Sequence, residues 1–146
     1  MKKLLFWVIS LTWGFPMTLI GAIITAILKV CGCKQKVFHG LIYTEVGEGW
    51  GGFNAGAFFF VSKDASDHTK RHEAGHGLQN IMLGFLTPFL VHIPSAIRYW
   101  YREYLVRFKG LTYNELPSYD AIWFEGGATQ LGDKYFKEEP AEEAEM

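Results

Sequence analysis

The chain has 146 residues, of which 49% are hydrophobic, 16% aromatic and only 20% charged. This length predicts a single domain, and the apolar excess favours contact with lipid. The formal net charge is −1, but the last nine residues contain five glutamates, so residues 1–137 hold fourteen basic and ten acidic residues, a net charge of +4. We find no basic stripe of the kind that binds nucleic acid, which argues against such a partner.

Residues 4–28 contain no charge. A helix of that length is about 37 Å long, enough to cross a hydrocarbon core of roughly 30 Å. The sequence therefore predicts a membrane anchor helix over residues 1–30, kinked at Pro16. A cleaved signal peptide fits less well, because the apolar stretch is longer than usual and Lys29 occupies the place of a small-residue cleavage site.

The charges that flank this stretch set its expected orientation. Lys2 and Lys3 precede it, and Lys29, Lys34 and Lys36 follow it. By the positive-inside rule, this small difference favours a single-pass protein with its main domain in the cytoplasm.

The two cysteines, Cys31 and Cys33, are separated by one residue. That spacing is short for structural zinc and poor for an unstrained disulfide. Reduced thiols near the lipid are therefore favoured over acylation or metal binding.

Two short runs with β character follow, within residues 37–62, and the glycine-rich "GEGWGG" separates them. The pattern predicts a β-hairpin. Its second run either offers an edge to an extended peptide or packs on the helix that comes next.

That helix is expected to begin near Asp64, Ser66 or Asp67, all favourable N-cap residues. It contains the stretch "HEAGH", in which His72 and His76 stand four residues apart and so lie on one face, one turn apart. Two imidazoles in this arrangement reach one metal ion, and Glu73 is placed to deprotonate a water that zinc acidifies. The alternative is a pair of surface histidines on an amphipathic helix.

A zinc hydrolase needs a third protein ligand and an open position. His68 lies on the same helix, where three consecutive turns cannot surround one ion, so we expect it to face solvent. His92 is expected to be hydrogen-bonded in an apolar environment. Glu125, on a predicted late helix, is preferred as the third ligand, with Asp120 as the alternative.

Residues 81–97 form a second uncharged run. If it crossed a membrane, it would separate the two histidines from Glu125. Gly84, Pro88 and Pro94 interrupt it, so we predict a bent element that is buried or dips into the membrane interface. The next stretch, "IRYWYREYLVR", suits an interfacial helix, with Trp100 near head groups and arginines 98, 102 and 107 near phosphates. Packing against the metal helix is the alternative.

The stretches "HTKRHEAGHGLQN", "IPSAIRYWYREY" and "YDAIWFEGGAT" resemble those of small bacterial membrane proteins similar to HExxH metallopeptidases of the gluzincin group. The likeness spans most of the chain and is densest over residues 63–133. It implies that His72, His76 and Glu125 bind zinc and that Glu73 is the general base. Gluzincins often place an aspartate four residues after the glutamate ligand, where this chain has Thr129; Asp120 is an alternative orienting group.

Together these features predict an α+β fold with an anchor at 1–30, a zincin-like domain at 31–137 and a disordered acidic tail at 138–146. The expected activity is zinc-dependent hydrolysis of peptide bonds, with membrane proteins or short peptides as substrates near the bilayer. Candidates for stabilising the oxyanion are Tyr99, Tyr113, Tyr119 and Arg98. The alternative function is a non-catalytic membrane protein or adaptor with a structural or relic metal site. The oligomeric state and the substrate stay open.

Overall fold

The computed structural model describes residues 3–136 and 144–145, and its fold is α+β, as predicted. The chain begins with two helices and continues with a small mixed sheet. The remaining helices follow the sheet. The main elements in order are α1 (Lys3–Thr12), α2 (Phe15–Val30), β1 (Gln35–Phe38), β2 (Leu41–Glu45), β3 (Gly52–Ala55), β4 (Phe58–Val61), α3 (Asp67–Leu83), α4 (Ile93–Lys109), α5 (Trp123–Phe136) and β5 (Ala144–Glu145).

The single anchor helix predicted over residues 1–30 is divided into α1 and α2, which meet at an angle of 101°. The break precedes Pro16, which lies in the first turn of α2. Proline donates no backbone hydrogen bond and its ring crowds the preceding turn, so the helix ladder does not continue through this point. Within the described residues, no single helix is both long and apolar enough to cross a bilayer; two bent helix pairs, α1 with α2 and α3 with α4, meet those criteria jointly.

The β region contains two hairpins, where the sequence predicted one. Strands β1 and β2 are antiparallel, as are β3 and β4, while β2 and β4 pair in parallel. His39 and Gly40 form the first two-residue turn with positive φ at both positions, and Gly56 begins the second, also with positive φ. Such turns suit tight hairpins. The "GEGWGG" stretch instead connects the hairpins, giving the sheet order β3-β4-β2-β1-β5.

The core forms where the sheet meets the helices. All four residues of β4, Phe58–Val61, are buried, so both faces of this strand are covered. Both α2 and α3 pack against β3 and β4. Phe6 of α1 and Met17 of α2 belong to the same buried cluster. The N-terminal helices are therefore part of the main core.

The bend predicted within residues 81–97 is confirmed. Helix α3 ends at Leu83, and Gly84 follows with a positive φ of 60°. A short 3-10 turn (Gly84–Leu86) and a π turn (Pro88–His92) lead into α4, and the axes on either side differ by 116°. The chain thus turns back, which allows α5 to lie beside α3.

The predicted late helix is α5. The predicted acidic tail, 138–146, falls outside the described residues except for Ala144 and Glu145, whose backbone pairs with β1.

Candidate metal centre

The helix that carries the two histidines begins as the sequence indicates. Ser66 is the N-cap of α3, and its hydroxyl accepts a hydrogen bond of 3.2 Å from the backbone of Thr69. Such a cap satisfies one of the free backbone donors of the first turn. His72 and His76 follow one and two turns later. Their rings lie 4.8 Å apart and are perpendicular, so both can point towards one ion.

Close packing of α5 on α3 brings the third candidate ligand to these histidines. A Cβ on Gly75 would lie 1.9 Å from the carbonyl oxygen of Ala128, and one on Gly132 would lie 2.2 Å from that of Arg71. Both helices therefore use glycine where their backbones touch. Arg71 and Asp133 add an ion pair of 3.1 Å between the same helices. Glu125, in the first turn of α5, is carried to the histidine face of α3 by this contact.

The side chains of His72, His76 and Glu125 converge on one point. Oε2 of Glu125 lies 3.1 Å from Nε2 of His72 and 3.2 Å from Nε2 of His76. One potential ligand atom from each residue lies within 4.8 Å of the others. Glu125 and His76 are buried, and His72 is partly so. The geometry thus brings together the three residues that the sequence suggested.

Each histidine is oriented through its other ring nitrogen. Nδ1 of His72 lies 2.8 Å from the hydroxyl of Thr129, and Nδ1 of His76 lies 2.8 Å from Oε1 of Gln79. The amide of Gln79 also donates to the carbonyl oxygen of Phe124 at 2.7 Å, which fixes its oxygen towards the histidine. His76 therefore donates from Nδ1 to Gln79, and Nε2 is the ring nitrogen that faces Glu125 and the candidate metal position.

The second carboxylate oxygen of Glu125 has partners of its own. The Ser95 hydroxyl, in the first turn of α4, donates to Oε1 of Glu125. The Tyr119 hydroxyl lies 3.4 Å from that of Ser95. Oε2 therefore faces the histidines, so the carboxylate is oriented to bind a metal ion through this one oxygen.

The pKa values of the two glutamates of the site are shifted in opposite directions. Burial raises the pKa of Glu125, but hydrogen bonds with His72 and His76 outweigh it and hold this pKa well below its ordinary value. Burial raises the pKa of Glu73 to about 8, and the negative charge of Glu125 acts in the same direction while His72 opposes it. Glu73 packs so closely against Gly52 that a Cβ there would lie 2.6 Å from its Oε1. These shifts describe the metal-free protein.

A cavity of about 1000 Å³ opens onto this cluster. Its walls come from the edge strand β3 and the loop before it, from α3, from α4 and from the segment before α5. Aromatic side chains form much of the lining, among them Trp50, Phe53, Tyr99, Trp100 and Tyr119. The cavity is large enough for several residues of an extended peptide.

The remaining candidates lie around the cavity. His68 is exposed in the first turn of α3, as expected. Asp120 lines the cavity but does not belong to the group of converging ligand atoms. His92 differs from expectation: it lines the cavity with its ring 6.3 Å from that of His76, and its buried Nε2 has no hydrogen-bond partner among the described residues.

The four candidates for the oxyanion site differ in their hydrogen-bond partners. The Tyr113 hydroxyl donates to Glu103, and the Arg98 guanidinium donates to the carbonyl oxygens of Ser118 and Tyr119. Tyr99 lines the cavity. Tyr119 is the one that lies next to a residue bonded to Glu125, and burial raises its pKa to about 12. It therefore remains a hydrogen-bond donor at neutral pH.

Sequence reasoning missed three supporting residues. Thr129 departs from the gluzincin pattern, yet its hydroxyl contacts Nδ1 of His72 and orients the ring. Gln79 lies one turn after His76 on the same helix, a spacing that can indicate contact. Ser95 gave no signal, because its contact with Glu125 depends on the bend before α4.

No protein family, curated protein or solved structure matches this chain.

Proposed function

We propose that the protein is a membrane-attached, zinc-dependent peptidase. The observation that carries this proposal is the convergence of His72, His76 and Glu125 on one point with Glu73 on the adjacent face of α3. The resemblance to gluzincin-like membrane proteins supports the same assignment. Each donor type is one that zinc favours.

The three residues fit a catalytic zinc site. Two imidazole nitrogens and one carboxylate oxygen leave a fourth position for water or substrate, whereas structural zinc sites have four protein ligands. Thr129 and Gln79 hold the histidines with Nε2 directed at Glu125. When bound, zinc supplies Lewis acidity that polarises a carbonyl group and acidifies water.

Glu73 is the proposed general base. It is buried under Gly52, next to His72 in the sequence, and lines the same cavity as the three candidate ligands. It would take a proton from the attacking water as the water oxygen bonds to the scissile carbonyl carbon, and would pass this proton to the leaving amine as the C–N bond breaks. A bound dication lowers the pKa of a neighbouring carboxyl. Glu73 is therefore expected to be ionised in the zinc-loaded protein, although its pKa is near 8 without metal.

Two further groups are suited to hold the substrate. The Tyr119 hydroxyl is the proposed donor to the oxyanion, since it is protonated and adjoins Ser95. Strand β3 lies at the edge of the sheet beside the cavity, where an extended peptide can add as a further strand. The expected substrates are peptides or membrane proteins close to the bilayer.

The alternative is a non-catalytic protein with a structural or relic metal site. Its test is Glu73→Gln, in which the side chain keeps its size and loses its basicity. A peptidase keeps stoichiometric zinc in this variant and loses cleavage of a quenched fluorescent peptide library by at least a hundredfold. His72→Ala is expected to lose both zinc and cleavage, and Asp120→Ala to keep the zinc. Absence of zinc from the wild type after supplementation contradicts the proposal, as does full cleavage by Glu73→Gln.

A further inference from the structure

Helices α1 and α2 are apolar on their exposed outer faces. Their inner faces bury the hydroxyl residues Ser10, Thr18 and Thr25 beside the core residues Phe6 and Met17. A surface helix of a water-soluble domain normally exposes polar side chains on its outer face. The exposed outer residues include Leu4, Val8, Leu11, Ile20, Ile23 and Ile27. An apolar solvent is the environment that this pattern fits.

The breaks in the two bent helix pairs are joined to each other. The Trp13 ring lies 4.7 Å from the Phe85 ring, edge to face, and a Cβ on Gly84 would lie 2.3 Å from the Trp13 indole. Asn80, near the end of α3, donates a hydrogen bond of 3.2 Å to the carbonyl oxygen of Gly14. The apolar surface of α1 and α2 is therefore continuous with that of the α3–α4 bend.

That bend and α4 add a second apolar strip. Phe89 at the bend is 66% exposed, and no residue of α4 is buried. The exposed residues Ile93, Ile97, Trp100, Tyr104 and Phe108 recur at intervals of three and four, so they form one face of α4.

Basic side chains border this apolar surface. Exposed Lys29 lies at the end of α2, and exposed Arg107 and Lys109 lie in the last turn of α4. Basic residues beside a buried apolar face are typical of helices that lie in an anionic membrane interface.

The fold is incompatible with a crossing by α2. The Trp7 indole of α1 donates to the carbonyl oxygen of Gly40 in the β1–β2 turn, at 2.8 Å. In the middle of α2, a Cβ on Gly21 would lie 2.3 Å from the carbonyl oxygen of Ala55 in β3. A bilayer around α2 would therefore enclose β3, the edge strand of the sheet, and a lipid-exposed sheet edge is not tolerated in hydrocarbon. With 16 residues, α2 is also only about 24 Å long.

We propose that the protein is monotopic: its two bent helix pairs enter one leaflet of an anionic membrane and return, so that the N-terminal end of α1, the sheet and the metal centre share one side. This inference rests on the membrane attachment proposed above and replaces the expected single pass. Trp100 belongs both to the apolar face and to the cavity wall. The mouth of the cavity therefore borders the membrane surface.

Sidedness is tested with three single-cysteine proteins in sealed vesicles prepared from expressing cells. One retains Cys31 with Cys33→Ser; the others carry Lys3→Cys or Lys63→Cys in a background with both native cysteines changed to serine. The three positions are exposed at the start of α1, the end of α2 and the end of β4. We expect a membrane-impermeant maleimide to label all three to the same extent before detergent is added. Opposite protection at Lys3→Cys and Cys31 overturns the monotopic topology and leaves membrane attachment intact.

The lipid-facing surface is tested by flotation of purified protein with vesicles of phosphatidylcholine and phosphatidylglycerol. Phe89→Asp is expected to lower the partition coefficient at least tenfold. Tyr135→Asp is the matched control: Tyr135 is 51% exposed and lies on α5, outside the bent pairs, so its flotation should equal that of the wild type. Far-UV circular dichroism and thermal melting report folding of both variants.

Three results contradict the proposal in different ways. If the wild type does not float, membrane attachment itself fails, whereas the zinc site is untouched. If Phe89→Asp floats like the wild type and sediments like it, the bend is not in the membrane. If this variant floats like the wild type but sediments as a monomer where the wild type is a dimer, a second copy of the chain covers the apolar surface.

Discussion

The hydroxyl oxygen of Thr129 lies 2.8 Å from Nδ1 of His72. Thr129 stands one turn after Glu125, so α5 supplies both a candidate ligand and the group that orients a second one. Gluzincins, which this stretch resembles, often have an aspartate at the corresponding position. A hydroxyl fixes the ring as a carboxylate does, but it adds no negative charge and so raises the basicity of the histidine less.

The role of Thr129 leads to a prediction about zinc affinity. Thr129→Val has nearly the same shape but cannot accept from Nδ1, so we expect it to weaken zinc binding by about tenfold to a hundredfold. Thr129→Ser keeps the hydroxyl and should stay within a few-fold of the wild type. Competition with a chromophoric chelator measures both. Equal affinities for the valine and serine variants would show that the contact does not orient His72.

Ser95 and Tyr119 are expected to affect different steps. Ser95→Ala leaves Oε1 of Glu125 without its donor, so the carboxylate is freer to rotate and zinc affinity should fall by about tenfold. Tyr119→Phe removes only the hydroxyl proposed to face the oxyanion; zinc affinity should be unchanged and kcat should fall by about a hundredfold with little change in KM. Chelator competition and steady-state kinetics separate the two. A loss of zinc in Tyr119→Phe would show that Tyr119 supports the metal ligands and does not stabilise the oxyanion.

Local features of the fold could be predicted from the sequence. Ser66 caps α3 because its hydroxyl accepts a hydrogen bond from the first turn. The bend within 81–97 follows from Gly84, which takes a positive φ directly after the last residue of α3, and from Pro88, which has no backbone N–H to continue the helix. Glu125 was preferred over Asp120 because of its place on a predicted late helix and because of the resemblance, and the ligand geometry agrees with this preference.

Contacts between distant parts of the chain were not predictable. Pro16 indicated a kink, but its size depends on how Trp13 and Gly14 pack against Phe85 and Asn80. The two hairpins were mistaken for one because "HG" and "GA" are weaker turn signals than the glycine-rich "GEGWGG". Burial of a hydroxyl such as that of Thr18 cannot be inferred from helix periodicity, because the outer face of α2 is equally apolar.

Gly75, within the "HEAGH" stretch, is expected to tolerate no side chain. A Cβ there would lie 1.9 Å from the carbonyl oxygen of Ala128. Because this contact joins the backbones of two packed helices, no side-chain rotation can relieve it. Gly75→Ala should therefore push α5 away, remove Glu125 from the histidines and abolish stoichiometric zinc, with a loss of stability of about 3 kcal/mol or more. Ala74→Gly is the control in the same helix: it costs about 1 kcal/mol in helix propensity and roughly 0.8 kcal/mol for the lost buried methyl group, and should keep the zinc. Elemental analysis measures the zinc content and thermal melting measures the stability of both variants. A Gly75→Ala protein with full zinc would refute the close-packing argument.

Glu73 gives the metal-free protein a stability that depends on pH. Its pKa rises from an ordinary value of 4.5 to about 8 on folding, so between these values the folded state binds a proton that the unfolded state has lost. Stability therefore falls as the pH rises through this window, by up to about 1.4 kcal/mol per unit from this group.

The substitution Glu73→Gln removes this titration and keeps the shape of the side chain. In the presence of a chelator, its melting temperature should exceed that of the wild type by a margin that grows between pH 5 and pH 8 and then levels off. Added zinc should narrow the margin at pH 8, because a nearby cation stabilises the ionised carboxylate of the wild type. A margin independent of pH would mean that Glu73 is ionised in the metal-free protein at all these values. In that case burial does not control its protonation, and Glu73 would be a ready base before any metal binds.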